Sequence, residues 1–211
     1  MNKYVTELIG TFFLVLTIGA TVIGLGAADA GFMAPLAIGA VLTVMVYAGG
    51  HISGAHYNPA ITLAVWMRGR CPTSEVPGYI IAQILGAVLA ALVVGFLTGG
   101  PAAPPAPIDI PKSLVAELLC TFALAYVVLN VATAKANSGN SYFGLAIGLT
   151  VTASAYAVGN ISGGVFNPAV AIGVGVMNLV NITDIWVHIV ADFAGAALAA
   201  LVFRFVNPTD T

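Results

Sequence analysis

Two Asn-Pro-Ala triplets, Asn58-Pro59-Ala60 and Asn167-Pro168-Ala169, are the residues of this 211-residue chain whose types and spacing point to one shared chemistry. Asn is a strong helix N-cap. Pro suits the first helical turn, where its missing N–H would be unpaired anyway. Each triplet therefore predicts an abrupt helix start. The apolar stretches that begin there, Asn58–Met67 and Asn167–Met177, are short: about ten residues, or ~15 Å of helix, half a bilayer. A helix N-terminus carries about half a positive charge and unpaired N–H groups. Two of them facing each other make a point hostile to cations, with an Asn amide from each side. The segments leading in, Gly54-Ala55-His56-Tyr57 and Gly163-Gly164-Val165-Phe166, read as non-helical backbone. Their glycines allow unusual φ/ψ and close approach. The carbonyls of Gly54, Ala55, His56, Tyr57, Gly163, Val165 and Phe166 then form lines of acceptors, a path suited to small neutral hydrogen-bonding solutes.

Other chemistry is poorly supported. His51 and His56 flank Ser53, but no orienting carboxylate is spaced to complete a hydrolase triad. His56 reads as a loop anchor near the cytoplasmic vestibule, His188 as a packing or interface residue. Cys71 and Cys120 have no metal-ligand spacing, and Cys120, inside an apolar run, reads as a buried unpaired thiol. With no metal cluster, phosphate-binding glycine loop or activated nucleophile, the chain does not read as an enzyme, and no cofactor is implied.

The elements that must position the triplets are apolar. The chain is 60% hydrophobic and only 7% charged, with a mean hydropathy of +1.03. Soluble domains carry about 25% charged residues, so the solvent for most of this chain is lipid. A disulfide scaffold, a disordered tail and a nucleic-acid binder are excluded, the last also by the net charge of −2. Six segments approach the roughly 20 residues a spanning helix needs: Tyr4–Leu25, Met33–Gly49, Val76–Leu97, Ser113–Ala134, Phe143–Val158 and Ile185–Val206. The first, apolar from Leu8 to Gly26, is too long for a signal-peptide core and reads as a retained membrane helix. The Pro-rich stretch Gly99–Pro111 reads as an extended loop. With six crossings, Lys3, Arg68, Arg70, Lys135 and Arg204 fall on one side and Lys112 on the other, which predicts cytoplasmic termini.

An internal repeat orders these segments. Gly50–Ala60 aligns with Gly159–Ala169 at an offset of 109, with seven of eleven pairs identical. Ala82-Gln83 and Gly86 recur as Ala191-Asp192 and Gly195. Glu7-Leu8 and Thr11-Phe12 recur one residue further on as Glu117-Leu118 and Thr121-Phe122. Residues 1–98 and 113–206 are thus two halves of one transmembrane domain, 1–211, joined by the loop 99–112. Three crossings per half turn the second half upside down, and inverted repeats place their site near the midplane, where broken helices meet.

The paired triplets, the Gly-x-Ile-Ser-Gly before each, the Glu-x-x-x-Thr starts and the six spans resemble the aquaporins of the major intrinsic protein family. The resemblance implies an all-α membrane channel of six transmembrane helices and two half-helices, passing water and small uncharged solutes such as glycerol, urea or metalloid hydroxides. It implies a homotetramer with one pore per subunit in the inner or plasma membrane. It gives Asn58 and Asn167 amide donors facing the lumen, and Glu7 and Glu117 the task of bracing the loops by accepting backbone hydrogen bonds. On the family's pattern the constriction falls on Ile38, Ala155, Gly164 and Val170. Val170 stands where most members carry arginine, so this set has no cation, histidine or aromatic and is expected to be wide and apolar. Asp192, mid-span, is expected to be protonated, hydrogen-bonded to a neighbour or at a subunit interface. An alternating-access transporter of a small neutral solute is the main alternative. A lumen closed by Ile38 and Phe166 is a third reading.

Overall fold

Where the chain stops being helical decides where the site lies. The computed structural model describes residues 1–24, 26–101 and 103–210. Leu25, the expected end of the first span, Ala102 of the Pro-rich loop and Thr211 lie outside the described residues. Among the described residues eight α-helices run α1 Asn2–Gly24, α2 Gly26–Ser53, α3 Pro59–Met67, α4 Val76–Thr98, α5 Ile110–Val128, α6 Phe143–Ser162, α7 Pro168–Val176 and α8 Ile185–Val206. A π-helical turn, Leu129–Thr133, prolongs α5. Among the described residues six helices are long and apolar enough to cross a membrane. All six correspond to expected segments.

The boundaries shift for local reasons. α2 and α6 run past the expected ends at Gly49 and Val158 to Ser53 and Ser162, and stop only where Gly54 and Gly163 adopt left-handed φ values of 86° and 92°. α5 starts at Ile110, inside the expected loop. Asp109 Oδ1 accepts the Lys112 N–H at 3.1 Å, and Pro111 fits the first turn.

The exterior is apolar, with Phe96 and Phe205 more than four-fifths exposed, as a lipid-facing surface requires. Inside, small residues set the helix spacing. A Cβ on Gly86 would meet the Leu8 backbone of α1, and one on Gly195 the Leu118 backbone of α5. Ala90 and Ala199, one turn on, are fully buried. So α1 packs on α4 and α5 on α8, while α2 against α6 joins the halves. Each short helix packs chiefly on the last long helix of the other half, α3 on α8 and α7 on α4. Cys120, expected to be buried, is only partly buried; Cys71 is the fully buried thiol, and both are free. An apolar run in a membrane does not distinguish a core face from a lipid face.

Candidate functional site

Asn58 and Asn167 cap the two short helices in the same way. Asn58 Oδ1 accepts the Ala60 and Ile61 N–H groups at 2.8 and 3.4 Å; Asn167 Oδ1 accepts those of Ala169 and Val170 at 2.9 and 3.4 Å. With the oxygens committed, the amide nitrogens point across the molecule. Asn58 Nδ2 donates to the Phe166 carbonyl and Asn167 Nδ2 to the Tyr57 carbonyl, both at 2.9 Å. This reciprocal pair ties the two helix N-termini together. Each amide has a second N–H beyond the one so used.

The carbonyls they reach are aimed by strained backbone. Tyr57 and Phe166 adopt φ values of 51° and 49°, and Ala55 52°. Sequence reasoning assigned unusual φ/ψ to the glycines, and no pattern of residue types marked these three. A non-glycine residue there costs about 1–3 kcal/mol and persists only where its surroundings dictate it. Both backbone groups of Tyr57 and of Phe166 are engaged. Glu7 Oε2 accepts the Tyr57 N–H at 2.6 Å, and Oε1 accepts the His56 N–H at 2.9 Å and the Ser53 hydroxyl at 2.7 Å. Glu117 does the same: Oε2 accepts the Phe166 N–H at 2.6 Å, and Oε1 the Val165 N–H at 3.0 Å and the Ser162 hydroxyl at 2.5 Å. Both carboxylates are fully buried.

A cavity runs between the two loops, and its eighteen lining residues form nine pairs at offsets of 109 or 110. Asn58 pairs with Asn167, Tyr57 with Phe166, His56 with Val165, Ala55 with Gly164, Ile61 with Val170, Ile38 with Ile147, Leu42 with Val151, Leu14 with Leu124 and Ile18 with Val128. Of the expected constriction set, Ile38, Gly164 and Val170 line the cavity. Ala155 lies just behind, its Cα 3.7 Å from where a Cβ on Gly164 would be. Of the expected carbonyl acceptors, Gly54 and Gly163 are not lining residues. Leu14, Ile18, Leu42, Ile61, Leu124, Val128, Ile147 and Val151 were missed, although the repeat offset alone, applied to Ile38, points to Ile147. The cavity measures about 30 Å³, room for a water or two.

No lining residue is Asp, Glu, Lys or Arg. Asp192 therefore does not reach the cavity, which removes the carboxylate an ion-coupled transporter would have used. It is fully buried on α8 and accepts the Thr121 hydroxyl at 2.8 Å. His188 is also fully buried, 3.4 Å from Glu117. Neither is at an outer surface, so the interface readings of both residues fail. His56 Nδ1 lies 3.1 Å from the Thr62 hydroxyl, and its ring packs 4.8 Å from that of Tyr79.

The profile of the family described as major intrinsic protein matches residues 1–203. Aquaporin NIP1-1 of Zea mays is 35% identical over 219 residues, covering 100% of this chain and 76% of its own length. Glycerol uptake facilitator protein-like 6 of Lactiplantibacillus plantarum is 38% identical over 220 residues, covering both chains completely. The X-ray structure of the aquaglyceroporin from Plasmodium falciparum superposes with a TM-score of 0.84 at 22% identity, over 98% of this chain and 97% of that one.

Proposed function

The chain belongs to the major intrinsic protein family, and on that premise we propose how this channel selects what it passes. It is an integral membrane protein and a passive channel for water and small solutes, not an enzyme. Solutes move in line past the Asn58–Asn167 pair, each accepting a hydrogen bond from the second amide N–H. The positive ends of α3 and α7 repel hydronium and other cations there. The lumen-facing carbonyls of both loops take the solute's own donors. Ile38, Ala155, Gly164 and Val170 form an apolar outer constriction that admits glycerol, urea or metalloid hydroxides as well as water once the Ile38 and Val170 side chains rotate. Glu7 and Glu117 hold the two loops in register. The assembly is a homotetramer in the inner or plasma membrane, with both termini cytoplasmic.

The observation that carries this reading is the reciprocal bonding of each Asn amide to the carbonyl that precedes the other triplet, which brings two helix N-termini to one apolar cavity. The selective step is tested by Val170→Arg in proteoliposomes. A cation there narrows the constriction, so glycerol flux falls about tenfold, equivalent to ~1.4 kcal/mol of barrier, and water flux falls less. Equal loss of both fluxes rules out a size filter at this position.

A further inference from the structure

The two loop-bracing carboxylates face different residues. In the first half Gln83 of α4 lies beside Glu7, and its Nε2 donates to Glu7 Oε2 at 2.8 Å and to the Thr62 hydroxyl at 3.0 Å. In the second half the corresponding residue is Asp192. Its carboxyl lies alongside Glu117 and the Asn167 backbone N–H. The repeat thus calls for a donor at this position, and a carboxyl group donates only when it carries a proton.

Charge gives the same answer. Glu117 accepts from two backbone N–H groups and the Ser162 hydroxyl, so it is the ionised member. A second ionised carboxyl beside it, out of water, needs a cation. No lysine or arginine is at hand among the described residues. Lys3 pairs with Glu75, Arg68 and Arg70 with Asp210, and Lys112 with Asp109, while Lys135 and Arg204 are exposed. The titratable groups near Asp192 are Glu117 on α5 and His188 one turn earlier on its own helix; the loop before α7 presents the Asn167 N–H, while α6 turns the Ser162 hydroxyl to Glu117 and Ser154 to Cys120 of α5. His188 faces Glu117, its Nδ1 3.4 Å from Oε1, and neither of its ring nitrogens hydrogen-bonds to Asp192. The proton thus falls to Asp192. Its Oδ1 accepts from Thr121, and its Oδ2, fully buried, has no hydrogen-bond donor among the described residues.

We propose that Asp192 is a positioning residue which carries a proton at neutral pH and donates it to Glu117, so that an acid–carboxylate pair holds the Gly163–Phe166 loop where a carboxamide–carboxylate pair holds the other. The pair fixes Glu117, Glu117 fixes the Phe166 N–H, and Phe166 presents its carbonyl to Asn58. This inference rests on the channel reading for its consequence but not for its chemistry.

The test combines infrared spectroscopy with permeability. Wild-type channel is labelled biosynthetically with carboxyl-¹³C aspartate and reconstituted at neutral pH. The expected result is a protonated-acid carbonyl band that shifts with the label and is missing from Asp192→Asn. In stopped-flow shrinkage, Asp192→Asn, whose amide restores a donor, keeps water permeability within about twofold, whereas Asp192→Ala, which leaves Glu117 one donor short, loses about tenfold. Two results overturn the proposal: no aspartic-acid band, which places the proton on His188 or nowhere, or equal permeability of the Asn and Ala variants. The band is read on protein that need not conduct, so its absence is distinct from a failure of the channel reading, which shows as wild-type permeability no greater than that of empty vesicles.

Discussion

The two halves of the channel perform the same backbone task with different side chains. Each holds a loop open with a glutamate, turns one aromatic residue left-handed and sends an Asn amide to the opposite carbonyl. Behind that shared front, the first half is neutral and hydrogen-bonded: Gln83 bridges Glu7 and Thr62, and the Tyr79 hydroxyl donates to the Ser53 carbonyl at 2.6 Å. The second half has Asp192 and His188 at the matching positions, and Ala171 in place of Thr62. What the repeat preserves is the set of groups that aim carbonyls at the cavity. What it lets vary is how the bracing carboxylate is itself satisfied.

Removing a brace outright has the largest effect. Glu7→Leu strands the Ser53 hydroxyl, two backbone N–H groups and the Gln83 amide, at about 1–3 kcal/mol for each buried unpaired group. Water permeability is abolished and the thermal midpoint in detergent drops sharply. Unchanged melting would show that the loop does not depend on Glu7. Glutamine variants then separate the halves. Glu7→Gln sets an amide against the Gln83 amide and loses a charge-assisted acceptor. Glu117→Gln also loses an acceptor, but the Asp192 carboxyl can release its proton and accept from the new amide. The first variant therefore melts lower than the second. The reverse order means that Asp192 does not pair with Glu117.

Symmetry of the lumen is tested one level down. Ile61 and Val170 are repeat partners at the first turns of α3 and α7, and both line the cavity. Ile61→Arg is expected to cut glycerol flux about as strongly as Val170→Arg, by roughly tenfold. A much weaker effect confines selection to the outer end.

The smallest effect concerns the far ends of the short helices. The Arg68 guanidinium, at the C-terminus of α3, pairs with Asp210 at 2.6 Å and lies over the Phe203 ring at 4.9 Å. Its repeat partner at the end of α7 is Met177, which has no such tie. The Lys135 backbone N–H, with the Arg68 charge beside it, holds the Asp210 carboxyl below the usual carboxylate range. A depressed folded value means that this stabilisation is present above the unfolded pKa of about 3.9 and is lost as pH falls through the lower folded one. Melting curves of wild type and Asp210→Asn should differ slightly at neutral pH and converge in strong acid. A gap that persists there removes the ion pair as its cause.

Much of this was legible in the residues. The offset between Asn58 and Asn167 carried the architecture, because a polar half-length helix start has few uses in lipid and two symmetric ones have fewer. Glu7 and Glu117 stood out because carboxylates in apolar runs need partners. The lining was less visible. Leu14, Leu42 and Leu124 are ordinary membrane residues, and only three-dimensional packing separates those facing the cavity from those facing lipid. The left-handed Tyr57 and Phe166 left no trace in composition, since the strain is imposed by partners about 50 residues away. Asp192 drew notice as an isolated mid-span charge, but its significance depends on Glu117, 75 positions earlier.

The central claim is that two half-helices meet at one apolar, uncharged lumen that passes water and small neutral solutes. Stopped-flow light scattering on wild-type proteoliposomes tests it most directly, with shrinkage in a sucrose gradient followed by re-swelling in a glycerol gradient. Both rates are expected to exceed those of empty vesicles and to rise linearly with gradient. Fast shrinkage without re-swelling contradicts the apolar constriction built on Ile38, Ala155, Gly164 and Val170, and saturating flux contradicts the channel itself.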